Sequence, residues 1–303
     1  MRAVSNTSGY RSVHVQAADG LRLFARDYAP DKSALTPLLC LPGLTRNSKD
    51  FEPIAPWLAQ TRRVIALDFR GRGQSEYARD PASYRPDIEL GDAICLLNSL
   101  KIERVALIGT SRGGIVGMLM AALFKDRLAG LFLNDVGPAF EPGGLLRIRT
   151  YLGVQRAFDS WDAASAGLKA SNVGFETLAA GEWLAFAQRV FKVENGRPHI
   201  DYDPALAATF PSVEDIHAGR VAALWELFAK IEGLPIAVVR GALSDFLSAA
   251  TMAAMKQSQP ELDATTVEDR GHAPFLDEEF SKKAIARWLE RVDLTEKAGE
   301  TGP

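Results

Sequence analysis

The segment Gly109-Thr110-Ser111-Arg112-Gly113, with Gly114 behind it, constrains this 303-residue chain more than any other stretch. It follows the apolar run Val105-Ala106-Leu107-Ile108, which has the length of a buried strand. It precedes Ile115 to Leu123, an apolar run of helical length. A serine held between strand and helix by small flanking residues sits on a sharp, strained turn that exposes its hydroxyl, the arrangement called a nucleophile elbow. The five-residue pattern alone is weak; its strand–turn–helix setting makes it strong. The segment therefore predicts an α/β sheet with a serine presented beyond the end of one strand.

The rest of the chain supplies that sheet. Val13 to Ala17 and Leu21 to Tyr28 flank an Asp19-Gly20 turn and read as a β-hairpin. Pro37 to Leu41, Val64 to Asp68, Val105 to Ile108 and Leu128 to Leu133 are short apolar runs of the kind that form parallel strands buried on both faces. Phe51 to Gln60 and Ile88 to Leu100 carry helical patterns between them. From about Ala139 to His217 no clear strand is visible, and helical stretches rich in aromatics take over. Strands resume at Pro235 to Arg240 and Thr265 to Glu268, an amphipathic helix spans Glu279 to Val292, and Thr295 to Pro303 reads as a frayed tail. The expectation is a doubly wound, mostly parallel sheet, with residues 1–138 and 218–303 forming the core and 139–217 inserted as a helical unit.

Hydrophobic residues at 47% and charged residues at 24% place the chain among ordinary globular proteins. A net charge of −3 offers no surface for phosphates, so nucleic acid is not an expected partner. Met1 to Arg11 is polar and lacks the apolar core of a signal peptide. The longest apolar stretch, Ile115 to Phe124, is too short to span a bilayer. Cys40 and Cys95 lie in apolar segments and read as reduced core thiols, the pattern of a cytoplasmic enzyme. No C-x-x-C or H-E-x-x-H occurs and the four histidines are scattered, so no metal is expected. Gly71-Arg72-Gly73-Gln74-Ser75 lacks the third glycine of a dinucleotide loop and reads as a tight turn behind the site; no cofactor is expected.

A serine hydroxyl needs a base, and the base needs a carboxylate to orient it. On this architecture the acid and then the histidine follow the serine in sequence, each after a later strand. His272, in Gly271-His272-Ala273-Pro274 after the last strand, is the expected base, whereas His199 and His217 fall in the inserted segment. Asp245 is the only carboxylate in the loop after Ile236 to Arg240 and is the expected acid. Asp135, at the end of the strand Leu128 to Leu133, is the alternative. Main-chain N–H groups of Arg112 and Leu44 are the expected oxyanion donors. The first opens the elbow helix, and the second follows the Pro42-Gly43 turn.

In these residues the chain resembles the α/β-hydrolase fold superfamily over nearly its whole length. The matching stretches are Leu41-Pro42-Gly43-Leu44, Asp68-Phe69-Arg70-Gly71-Arg72-Gly73-Gln74-Ser75, the elbow, the Asp245 loop and Gly271-His272. The resemblance implies a lid inserted after the sixth strand, where the aromatic-rich segment falls. Pro42 stands where relatives often carry histidine, and Arg112 where an apolar or amide residue is commoner.

The expected activity is a serine hydrolase of small carboxylic esters acting through an acyl-enzyme, with a small-molecule substrate as its only implied partner. Oligomeric state leaves no mark in the sequence. A carbon–carbon bond hydrolase of ring-cleavage dienoates is the runner-up, since Arg112 and Arg240 are candidates to hold an anionic substrate. A lactonase or cofactor-free perhydrolase would use the same three side chains. Relatives of dehalogenase or epoxide-hydrolase type would carry Asp at the elbow, as the resemblance implies, and Ser111 argues against them. A non-catalytic binding protein of this fold is the reading from a different class, and the three filled positions argue against it.

Overall fold

A computed structural model describes residues 9–28 and 34–300; positions 1–8 of the polar N-terminal stretch and 301–303 of the tail lie outside the described residues. Eight strands make the main sheet: β1 (Arg11–Gln16), β2 (Arg22–Tyr28), β3 (Leu38–Leu41), β4 (Val64–Asp68), β5 (Val105–Thr110), β6 (Leu128–Asn134), β9 (Ile236–Gly241) and β10 (Asp263–Val267). Two more, β7 (Phe191–Glu194) and β8 (Arg197–Ile200), pair antiparallel as a separate hairpin. The main sheet runs β1-β2-β4-β3-β5-β6-β9-β10, with β1 and β2 antiparallel and the six strands from β4 to β10 parallel. The expected doubly wound, mostly parallel sheet is present. Strand order reverses between β3 and β5, so their carboxyl ends open onto a crevice, the position where such sheets bind ligands.

The central strands are apolar on both faces because both are covered. In β3, Leu39 and Leu41 join one core cluster and Leu38 and Cys40 the other; β5 divides in the same way between Val105, Leu107 and Ala106, Ile108. On the first face pack helices α2 (Pro86–Ser99), α3 (Arg112–Leu123), α4 (Pro142–Tyr151), α7 (Val213–His217), α8 (Trp225–Ala229) and α9 (Ala249–Ser258). The second face is covered by α1 (Ala55–Leu58) and α10 (Glu279–Glu300), where Trp288 meets Phe132 edge-on at 5.4 Å.

Between β6 and β9 lie α5 (Trp161–Ser171), α6 (Ala180–Val190) and the β7–β8 hairpin. They share a small core of their own, in which Leu168, Phe175, Trp183, Phe186 and Phe191 are buried together. The aromatics of this stretch thus pack mainly on one another, with partly buried Phe275 of the main body against them. The hairpin departs from the expectation of no strand here. Its Asn195-Gly196 turn, with both residues at positive φ, closes two four-residue strands. The helix expected over Phe51 to Gln60 is shorter, because Pro53 and Pro56 lack an N–H. The segment instead forms a 3-10 turn at Ser48–Phe51 followed by α1. The closing helix α10, by contrast, runs through the stretch read as a frayed tail as far as Glu300.

Candidate active site

Ser111 separates β5 from α3 at φ 49° and ψ −111°, a left-handed conformation that β-carbon sterics disfavour. The flanking glycines make the turn possible. A Cβ on Gly113 would lie 2.1 Å from the Leu41 carbonyl oxygen, and one on Gly109 would lie 2.5 Å from the Gly113 and Gly114 backbone. Gly113 N–H donates to the Pro42 carbonyl at 3.0 Å, tying the elbow to the loop after β3. The serine hydroxyl is aimed at His272, whose Nε2 lies 3.0 Å from Oγ.

The carboxylate on the other side of the imidazole belongs to Asp135. Its Oδ2 lies 2.7 Å from His272 Nδ1, and the side chain is fully buried. Asp135 leaves the end of β6 at φ 52°, with its N–H bonded to the Val239 carbonyl at 2.7 Å. Gly241 N–H donates to its Oδ1 at 2.9 Å, and Ser244 Oγ–H donates to its Oδ2 at 2.6 Å. Asp245, the acid expected from sequence, makes no hydrogen bond to His272 among the described residues. Its carboxylate instead takes a bidentate pair from Arg147 of α4, at 2.6 and 2.8 Å. Burial alone would raise the Asp245 carboxyl, but the bonds and charge of Arg147 outweigh it and hold the group below the usual carboxylate range. The loop after β9 therefore divides its residues three ways. Ser244 turns in to Asp135, Asp245 turns to Arg147, and the Phe246 ring stacks on the imidazole at 4.3 Å.

Leu44, Ser111 and His272 line one cavity, and α3 begins at Arg112 immediately after the serine. No described hydrogen bond uses the N–H of Leu44 or of Arg112, which leaves both available as donors to a developing oxyanion. The Leu44 carbonyl is held from behind by buried Arg72, whose Nε donates to it at 2.7 Å. Arg72 pairs in turn with Glu89 at 2.7 Å, and Glu89 receives Arg112 Nε at 2.6 Å. Burial would raise the Glu89 carboxyl, yet the two guanidinium charges outweigh it and keep it low. The Arg112 side chain also donates to the Tyr84 carbonyl at 2.8 Å, so it faces a buried network and not the cavity. Arg240 is likewise spent on the Leu247 and Ala242 carbonyls.

The cavity over Ser111 is small, about 150 Å³, and its wall mixes aromatic residues with guanidinium groups. Phe158, Phe186 and Phe275 contribute rings; Arg46, Arg147, Arg156 and Arg189 contribute charge. Arg46 is neutralised by Asp50 and Arg147 by Asp245. Arg189 lies over the Phe275 ring at 5.3 Å with no carboxylate partner among the described residues, and burial lowers its pKa. No local pattern in the sequence distinguishes these arginines from surface ones, because their pairing is set by helices distant in the chain. Ser244 was equally silent, although it adjoins the expected acid.

Among the described residues no cluster of three or more His, Cys, Asp or Glu side chains is placed to hold a metal ion. No described helix is long and apolar enough to cross a membrane.

A family model described as "Alpha/beta hydrolase family" matches residues 38–284. The chain is 38% identical to the 3-hydroxybutyrate-oligomer hydrolase of Cupriavidus necator over 247 residues, which cover 79% of this chain and 84% of that one. It is 36% identical over 115 residues to the 2-hydroxymuconate semialdehyde hydrolase of a Pseudomonas strain, covering 36% and 40% of the two chains. The crystal structure of an alpha/beta hydrolase from Novosphingobium aromaticivorans superposes with a TM-score of 0.86 at 41% identity, over 94% of this chain and all of the other.

Proposed function

This chain belongs to the alpha/beta hydrolase family, and from that premise we propose that it is a serine hydrolase of small carboxylic esters, esters of short hydroxy acids foremost, acting through an acyl-enzyme at Ser111. The observation that carries this reading is the continuous chain of contacts Ser111 Oγ, His272 Nε2, His272 Nδ1, Asp135 Oδ2. With the imidazole proton on Nδ1 facing Asp135, Nε2 is free to accept the Ser111 proton as Oγ attacks the ester carbonyl. The tetrahedral oxyanion forms against the Leu44 and Arg112 N–H groups, and the α3 N-terminus adds its dipole. His272 then gives its proton to the leaving alcohol, and it next activates water to release the acid. Asp135 does not take a proton; it fixes the tautomer and stabilises the imidazolium.

The small cavity suits a short acyl chain, and the segment of α5, α6 and the hairpin serves as its lid. The Cupriavidus relative, by its name, cleaves oligomers of a short hydroxy acid, which supports the ester class. Hydrolysis of a short p-nitrophenyl ester panel by the native protein and by S111A tests the reading. Turnover of the butyrate ester is expected to vanish in S111A while the fold persists, and turnover that survived the substitution would exclude it.

A second reading is favoured by one observation. The guanidinium of Arg189, without a carboxylate partner among the described residues, suits an anionic substrate, as a carbon–carbon bond hydrolase of dienoates would need, and the Pseudomonas relative's name points to such chemistry. The comparison of kcat/KM for p-nitrophenyl butyrate and for a ring-cleavage dienoate separates the two.

A further inference from the structure

The cavity over Ser111 shares part of its wall with a second hollow. A more open outer groove of about 400 Å³ adjoins it, and Arg156, Ile200 and Tyr202 line both spaces. Of the groove's other charged residues, Lys192 and Glu194 pair with each other at 3.4 Å. Arg156 has no carboxylate partner among the described residues, so the groove keeps one net positive charge, at its boundary with the cavity. The backbone there is fixed: Arg156 accepts from Ile200 N–H at 3.3 Å, and Phe158 N–H donates to the Pro198 carbonyl at 2.9 Å, laying residues 156–158 along β8. Arg156 is partly buried and lines both hollows together with Tyr202.

We propose that the outer groove is a binding site for the carboxylate end of a hydroxy-acid ester, and that Arg156 receives that carboxylate. The inference rests on the ester-hydrolase reading and extends it. An ester between two hydroxy acids has a neutral acyl half and a leaving half that ends in a carboxylate. With the acyl carbonyl at Ser111, the leaving half needs a cation that no protein acid already occupies, and a guanidinium offers it a two-pronged donor. Arg46 and Arg147 are occupied by Asp50 and Asp245, and Arg189 does not border the groove. Arg156 is the guanidinium common to both hollows.

The test uses linear 3-hydroxybutyrate trimer as the free acid and as its methyl ester, with native protein, R156Q and R156K. Native protein is expected to prefer the free acid about tenfold in kcat/KM, the worth of one charge-assisted hydrogen bond. R156Q removes that preference through KM, and R156K restores part of it. A native protein without the preference, or an R156Q variant that keeps it, overturns the proposal. Calorimetric titration of S111A with the same two trimers gives a readout independent of turnover. Tighter binding of the free acid, abolished by adding R156Q, upholds the groove even if ester hydrolysis is absent, whereas equal binding of both trimers overturns it.

Discussion

Asp135 lies against His272 from the end of β6, one strand earlier in the sheet than the loop that carries Asp245. The imidazole is thus oriented by an acid that three donors share, whereas Asp245 braces α4 through Arg147. D135N is expected to lower kcat about 10³–10⁴-fold with the fold intact, because an amide there no longer selects the productive tautomer. D245N is expected to retain kcat within about tenfold. Steady-state kinetics of the two variants, side by side, check this; the reverse order would transfer the role to Asp245.

Ser244 Oγ accepts the N–H groups of Phe246 and Leu247 at 3.2 Å each and donates its own O–H to Asp135. S244A removes a donor from a buried carboxylate and leaves two N–H groups unpartnered. A drop in kcat of about tenfold is expected, on the scale of 1–2 kcal/mol, with KM little changed. S244T, which keeps the hydroxyl, is expected to recover most of the loss in the same assay.

The elbow leaves no room for side chains. G113A drives a methyl group into the Leu41 carbonyl oxygen, and neither is the end of a flexible chain. A loss of about 3 kcal/mol or more is expected, read as a depressed midpoint in thermal or denaturant unfolding.

Asp68 gives a pH signature opposite in sign to that of ordinary paired carboxylates. Burial raises its carboxyl from the usual aspartate value near 3.8 to about 6, although Ser48 and Gln74 N–H groups bond it. Between these values the folded state holds more protons than the unfolded, so this group's contribution to stability rises as pH falls from about 6 towards 4 and is lost above it. The slope is at most about 1.4 kcal/mol per pH unit. Carboxyl carbon NMR of the native protein should show Asp68 titrating near 6, and a titration below 4 would contradict the burial argument.

Much of this architecture is written locally. The strands around Val64, Val105 and Leu128 carry their own apolar runs, and the elbow needs glycine at 109 and 113 whatever surrounds it. The approach of His272 to Ser111 was legible because its loop is short and its rivals lie elsewhere. The acid was not. Asp135 and Asp245 both follow strands that end at the same edge of the sheet, and the choice between them depends on Arg147, a residue of α4 that draws Asp245 aside. The β7–β8 hairpin was missed for a related reason, since Phe191–Glu194 and Arg197–Ile200 are too short and too polar to show a period of two. Arg112 was a candidate to hold an anionic substrate because sequence places it beside Ser111, while folding turns its guanidinium inward to the acid Glu89.

The proposed chemistry depends most on Ser111 being a nucleophile activated by His272. Intact-protein mass spectrometry after treatment with a fluorophosphonate at pH 7–8 reads this directly. A single adduct on native protein, mapped to the peptide bearing Ser111 and absent from S111A, is the predicted result. A native protein that stays unmodified, or an S111A variant that is still labelled, would contradict it.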